Sequence, residues 1–289
     1  MHSRLYTIFT AFILFLSVTV SSPLYAESKT LQIKGSDTMV NLGQSWAEEF
    51  MHKNSAVSIA VTGGGSGTGI AAILSGTCDI AQSSRDLSAE EKAKATAAGH
   101  TLEETQVAFD GIAVLVHPSN PIEHLSTDQL ADIFSGKITN WNKVGGKDAE
   151  ILVLSRERNS GTHIFFLEHI VRKGNAKGPE EFAGSALMMP SSQAIVQEVE
   201  TGENAIGYVG LGYVTEKSKV IPVGKTPEGP FVKPSIETVQ NNSYPIGRPL
   251  FFLTRGKAEG DAKSFIDFVL SAEGQEIVSG LDFVPNKNS

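Results

Sequence analysis

A two-lobed α/β fold is predicted by three features of this sequence. Short β-prone runs alternate with helical patterns from Leu31 onward. Turns rich in glycine and serine sit where a run ends and a helix begins. Two extended segments, Phe109 to Val116 and Tyr244 to Thr254, have the character of chain crossings between lobes.

Leu31-Gln32-Ile33 starts the first strand and leads into Gly35-Ser36-Asp37-Thr38. Met39, Leu42, Trp46 and Phe50 then recur at helical spacing up to about His52. Val57 to Val61 alternates as a strand and closes on Gly63-Gly64-Gly65. A helix is expected from about Ser66 to Leu74, with Gly76 as its C-terminal cap. Ser88…Glu91 and Ser126…Gln129 have capping-box spacing, and a further helix is expected from His163 to Val171. The rhythm implies a mostly parallel sheet covered on both faces. Placing the crossings at residues 112/113 and 246/247 gives one discontinuous lobe of residues 27–112 plus 247–289. Residues 113–246 form the second lobe. A cleft between lobes joined by two crossings is a common place for a small ligand.

Residues 1–26 have the form of a secretory signal peptide: His2 and Arg4, an apolar run from Leu5 to Val20, and Ala26 at the cleavage point. The run is short for a membrane span, and no lipid-accepting cysteine follows. The mature chain is expected to begin near Glu27 and to be periplasmic. The 289 residues carry a net charge of −8 with no basic stripe, which argues against a nucleic-acid partner. The one cysteine, Cys78, excludes a disulfide framework or a multi-cysteine metal site. His163 and His169 are six apart, off the spacing of a helical zinc pair. No metal, cofactor or catalytic residue is expected.

Chemistry is concentrated in the polar turns. Gly35-Ser36-Asp37-Thr38, Gly65-Ser66-Gly67-Thr68-Gly69 and Arg156-Glu157-Arg158-Asn159-Ser160-Gly161-Thr162 each precede a helix. A helix start exposes unpaired N–H groups and the positive end of the helix dipole, so it favours an anion. An ordinary cap explains any one turn alone. Arg156 adds what a cap does not need, a fork able to hold two oxygens of an anion. Gln82-Ser83-Ser84-Arg85-Asp86 supplies a further polar wall. Enzymatic patterns fail on spacing: Ile70 stands where a phosphate-binding nucleotide loop needs lysine. Gly64-Gly65-Ser66-Gly67 runs on into Thr68 and misses the nucleophile elbow.

Four of these segments carry a family resemblance: Gly35-Ser36-Asp37-Thr38, the turn ending in Ser66-Gly67, Asp79-Ile80-Ala81-Gln82-Ser83-Ser84, and Arg156…Ser160-Gly161-Thr162. With Leu125 to Leu130, Phe134-Ser135-Gly136, Asn140-Trp141, Ala205 to Val209, Tyr244-Pro245 and Arg248-Pro249-Leu250, they resemble the periplasmic phosphate-binding proteins of phosphate ABC importers. The resemblance implies a periplasmic binding protein fold of type II. It also implies capture of inorganic phosphate between the lobes and delivery to membrane permease subunits by a monomer.

Carried onto this chain, it assigns donors to Thr38 and the backbone of Met39, to Ser66 with Gly67, and to Ser160, Gly161 and Thr162, with Arg156 as the ion-pairing group. Where sulfate-rejecting members carry an aspartate, this sequence has Ser84 followed by Arg85. Ser36, Ser84 and Arg85 therefore join the expected site, and Asp37 is the substitute proton acceptor to consider. Other readings are the same fold binding sulfate, molybdate or tungstate, a secreted phosphate-ester hydrolase, and a surface interaction module.

Overall fold

The computed structural model describes residues 30–286, so the expected leader lies outside the described residues. In chain order the strands are β1 Leu31–Gly35, β2 Ile59–Thr62, β3 Ile80–Ser83, β4 Leu102–Val116, β5 Leu125–Ser126 and β6 Leu152–Arg156. They continue with β7 Leu187–Met189, β8 Ala205–Gly210, β9 Lys219–Ile221, β10 Val223–Gly224 and β11 Gly247–Arg255. The helices are α1 Val40–Lys53, α2 Ser66–Ser75, α3 Ala89–Ala97, α4 Thr127–Phe134 and α5 Gly161–Phe166. α6 Ser192–Thr201, α7 Ile236–Gln240, α8 Gly260–Leu270 and α9 Ala272–Gly280 complete them.

The main sheet runs β2-β1-β3-β11-β4-β8-β6-β7, with β9 also on β4. It is mixed, where the sequence pattern suggested mostly parallel. β1 pairs in parallel with β2 and β3, and β6 with β7 and β8. β11 is antiparallel to β3 and β4, and β4 to β8 and β9. A strand buried on both faces has the same apolar pattern in either direction, so direction is invisible until partners are known.

β4 joins the two halves of the sheet. Up to Gly111 it pairs with β11, and from Ile112 onward with β8. Its side chains alternate faces: Ile112, Val114 and Val116 enter one apolar cluster, and Ala113 and Leu115 another. β11 does the same with Leu250 and Phe252 against Phe251 and Leu253. Each half of the sheet thus has apolar packing on both sides.

Local signals set the helix ends. Ser88 and Ser126 both form full capping boxes, with Glu91 and Gln129. Gly76 ends α2 in the left-handed conformation, φ 73°. Helix α5 starts two residues earlier than expected, at Gly161. Ser160 caps it by accepting from the His163 N–H at 3.3 Å, and a π-helical turn follows over Leu167–Val171. Cys78 is buried, and desolvation pushes its thiol up to about 11. Among the described residues no helix is long and apolar enough to cross a membrane.

Candidate functional site

The polar turns follow the carboxyl ends of β1, β2, β3, β6 and β7, where open α/β sheets place their ligands. Their hydroxyls converge. Ser36 Oγ donates to Ser84 Oγ at 3.0 Å, and Ser84 Oγ lies 3.3 Å from Ser66 Oγ. The Ser84 N–H donates to Ser66 Oγ at 3.1 Å. Thr38 Oγ1 and Thr162 Oγ1 are hydrogen-bonded at 2.8 Å, across 124 residues of sequence. Ser36, Thr38, Ser66, Ser84, Ser160 and Thr162 are all buried. So many buried hydroxyls in one place are costly unless they serve one another or a ligand.

Glycine lets the turns meet. A Cβ on Gly161 would lie 2.7 Å from Ser84 Oγ and nearer still to Ser66 Oγ. Gly65, at φ 93°, leaves space for the Asn159 carbonyl, which a Cβ would meet at 2.7 Å. Asn159 Nδ2 donates to the Gly64 carbonyl at 2.8 Å, closing the second turn on the third.

Arg156 closes the other flank. It is 2% exposed. Its Nη1 donates to Ser192 Oγ at 2.9 Å and pairs with Asp37 Oδ2 at 3.1 Å, while Nη2 donates to the Pro190 carbonyl at 3.2 Å. Its Nε is buried with no protein acceptor. Asp37 Oδ2 also accepts from the Ser192 N–H at 2.8 Å, and the Asp37 carbonyl accepts from the Tyr213 hydroxyl at 2.8 Å. Asp37 Oδ2 is therefore engaged by both the Arg156 guanidinium and the start of α6. It ties the first turn to the start of α6 and to Arg156.

Twelve residues were expected at this site, and three are turned to other partners. Arg85 is held by Glu91, Nη1 to Oε2 at 2.8 Å and Nη2 to Oε1 at 2.7 Å. Burial raises the Glu91 carboxyl, but the hydrogen bonds from Arg85 and Ser88 bring it below its ordinary value. The Met39 N–H donates to the Ser36 carbonyl at 3.1 Å, and its side chain lies in the apolar cluster with Leu42 and Trp46. The Gly67 N–H donates to the Asn159 carbonyl at 2.9 Å. The exposed Arg158 stays out, as its position two residues beyond Arg156 allows.

Ser192, Tyr213, Asp110 and Arg248 were missed. Asp110 and Arg248 form an ion pair, Nη2 to Oδ2 at 2.8 Å, with both side chains fully buried. A lone acid inside the apolar run Val107 to Val116 was a usable signal for Asp110. Among the described residues no group of three or more His, Cys, Asp or Glu is arranged to hold a metal ion. A groove of about 540 Å³ lined by Glu123, Leu211, Lys219 and Lys233 among others includes none of these turn residues.

The comparisons agree with this geometry. A family model described as the PBP superfamily domain matches residues 21–273. The phosphate-binding protein PstS of Bacillus subtilis is 35% identical over 259 residues, covering 89% of this chain and 81% of that protein. A crystal structure from Clostridium perfringens, described as a candidate phosphate ABC transporter substrate-binding protein with bound phosphate, has a TM-score of 0.80. It is 37% identical and covers 89% of this chain and all of that one. An ABC-type phosphate transport receptor from Vibrio cholerae has a TM-score of 0.71 at 28% identity, covering 89% of this chain and 100% of its own. A PBP-like α/β fold, buried hydroxyls at the strand ends and these matches along nearly the whole described chain lead to one assignment: the chain belongs to the PBP superfamily, within the family of phosphate-binding proteins.

Proposed function

We propose that this protein is an extracytoplasmic receptor that captures inorganic phosphate in the crevice between two lobes and delivers it to the permease of an ABC-type importer. The observation that carries the reading is the buried Arg156 guanidinium, its Nε without a protein acceptor, beside converging serine and threonine hydroxyls. Ser36, Thr38, Ser66, Ser84, Ser160, Gly161 and Thr162 surround the anion, and Arg156 supplies the charge. The first-turn N–H groups of Gly161 and Thr162 have no acceptor within their own helix, which suits an oxyanion. Asp37 serves by orienting Arg156. Phosphate is the ligand named for relatives of this chain at and above 30% identity.

The lobes are residues 27–112 with 247–289, and residues 113–246. The change of partner along β4 between Gly111 and Ile112 supports the first crossing, and the start of β11 at Gly247 the second. Residues 1–26 are the cleaved leader, and the mature protein is a periplasmic monomer that turns over no substrate. Calorimetric titration of ligand-stripped protein with phosphate and then sulfate tests the function. Saturable 1:1 phosphate binding is expected, and no heat with phosphate would sink the proposal.

Two variants probe the crevice. Gly161→Ala places a methyl group against Ser66 and Ser84, so the facing turns must separate. An overpacking cost of about 1–3 kcal/mol should appear as phosphate affinity weakened about 5- to 150-fold. The melting temperature should change little, because the clash lies between the turns rather than in an apolar cluster. A large drop in melting temperature with unchanged affinity would contradict this.

Asp37→Asn tests the discrimination of phosphate from sulfate. Asp37 Oδ2 already pairs with Arg156 and accepts from the Ser192 N–H, so the substitution is expected to act through the placement of Arg156. Phosphate binding should weaken about tenfold, from the loss of a partly buried charge partner. The phosphate-to-sulfate ratio should stay constant. Competition binding in which sulfate gains on phosphate would return the role of proton acceptor to Asp37.

A further inference from the structure

Arg248 and Asp110 are direct cross-strand partners on the antiparallel strands β11 and β4. Neither faces solvent. Arg248 Nε and Nη2 donate to Asp110 Oδ2 at 3.1 and 2.8 Å, and Asp110 Oδ1 accepts from the Leu211 N–H at 3.0 Å. Gly210 seals the pair, since a Cβ there would lie 2.9 Å from Asp110 Oδ2 and 2.8 Å from Thr38 Cγ2. Burial raises the Asp110 carboxyl above its ordinary range, and Arg248 opposes that rise. A buried ion pair is weak evidence for a stabilising role, because desolvation of both charges offsets their attraction. Its outward contacts identify another role.

The guanidinium reaches two of the turns that build the site and the helix that follows a third. Nη1 donates to the Ser84 carbonyl at 3.1 Å, and Nη2 to Thr38 Oγ1 at 3.3 Å. Its Cζ lies 5.7 Å from the centre of the Phe165 ring on α5. The Thr38 contact has a chemical consequence. A hydroxyl has one proton to donate and two lone pairs to accept with. Arginine can only donate, so it occupies a lone pair of Thr38 and leaves the proton directed elsewhere. Thr38 Oγ1 lies 2.8 Å from Thr162 Oγ1, a contact in which either hydroxyl can be the donor, and an anion accepting from Thr38 would take that proton. Asp110 neutralises the guanidinium from behind.

We infer that the Arg248–Asp110 pair is a positioning device that fixes the Thr38 hydroxyl as a donor toward the bound anion. The inference rests on the phosphate-binding reading above and adds two residues that need not touch the ligand. If Arg248 acts through Thr38, removing either should cost the same interaction, and removing both should cost little more.

The test is a double-mutant cycle read by phosphate titration. One arm is Arg248→Met with Asp110→Asn, which removes the charge pair together and leaves neither charge buried alone. The other arm is Thr38→Val. Each arm should weaken phosphate at least about tenfold, the value of a hydrogen bond to a charged group. The combined variant should fall within about threefold of Thr38→Val. Arg248→Lys keeps the charge on Asp110 but cannot fork to Thr38 and Ser84 together. It supplies the result if the paired variant fails to fold, and should lose a similar factor that Thr38→Val again masks. Multiplicative losses, or full affinity in the paired variant or in Arg248→Lys, would overturn the positioning role alone. Wild-type protein that bound no phosphate would overturn the function on which it rests.

Discussion

Arg156→Ala is expected to weaken phosphate binding by about 2–5 kcal/mol, the range for truncating one member of a desolvated charge pair, or about 30-fold to several thousandfold. Three features place it at the high end. The side chain is 2% exposed, so its charge is poorly screened. Its position is fixed by Ser192, Pro190 and Asp37, so little ordering remains to be done on binding. Its loss also leaves Asp37 without its cation, next to an arriving anion. Arg158→Ala is the internal control: that residue is exposed, and the change should alter affinity by less than about threefold. Titration of both variants at one ionic strength decides the matter, and equal losses would show that the anion sits elsewhere.

The turns were legible in the sequence because helix starts are written locally. Ser88 and Ser126 announce themselves by the residues that follow within one turn of helix. Arg156 stood out as a cation beside such a turn. The pairing of Arg85 with Glu91 escaped the sequence reading for the opposite reason. Glu91 was already visible as the third residue of a capping box, but the same carboxylate also binds a guanidinium six residues upstream. The Arg248–Asp110 pair spans 138 residues and exists only because β11 and β4 run antiparallel in one register. No local pattern encodes that register. Asp37 shows the same limit: the sequence offers it as a proton acceptor and gives no sign that its Oδ2 also accepts from the Ser192 N–H, 155 residues away.

His163→Gln is expected to flatten the acid side of the stability profile. The ring is buried, 3.1 Å by Nδ1 from Ser155 Oγ, which is in turn 2.7 Å from the Tyr208 hydroxyl. It also packs on the Phe182 ring at 4.6 Å. Burial pulls its pKa down to about 4, and the neighbouring Arg158 and Arg156 charges act in the same direction. In the unfolded chain the imidazole returns to about 6.5. Between these values the unfolded state binds the proton and the native state does not, so stability must rise with pH. The contribution is fully present above about pH 6.5 and is lost as the pH falls toward 4, up to about 3 kcal/mol in total. Urea unfolding of both proteins at pH 7.5 and 4.5 isolates it, because the carboxylates that titrate nearby are common to both. The wild type should lose about 2–3 kcal/mol more than His163→Gln over that interval. Parallel losses would show that the imidazole titrates alike in both states. Phosphate affinity supplies an independent check on the same ring. His163 follows Thr162 directly, and its backbone N–H holds Ser160 Oγ. The native ring stays neutral down to about pH 4. Any change in phosphate binding between pH 7.5 and 5 should therefore persist unchanged in His163→Gln.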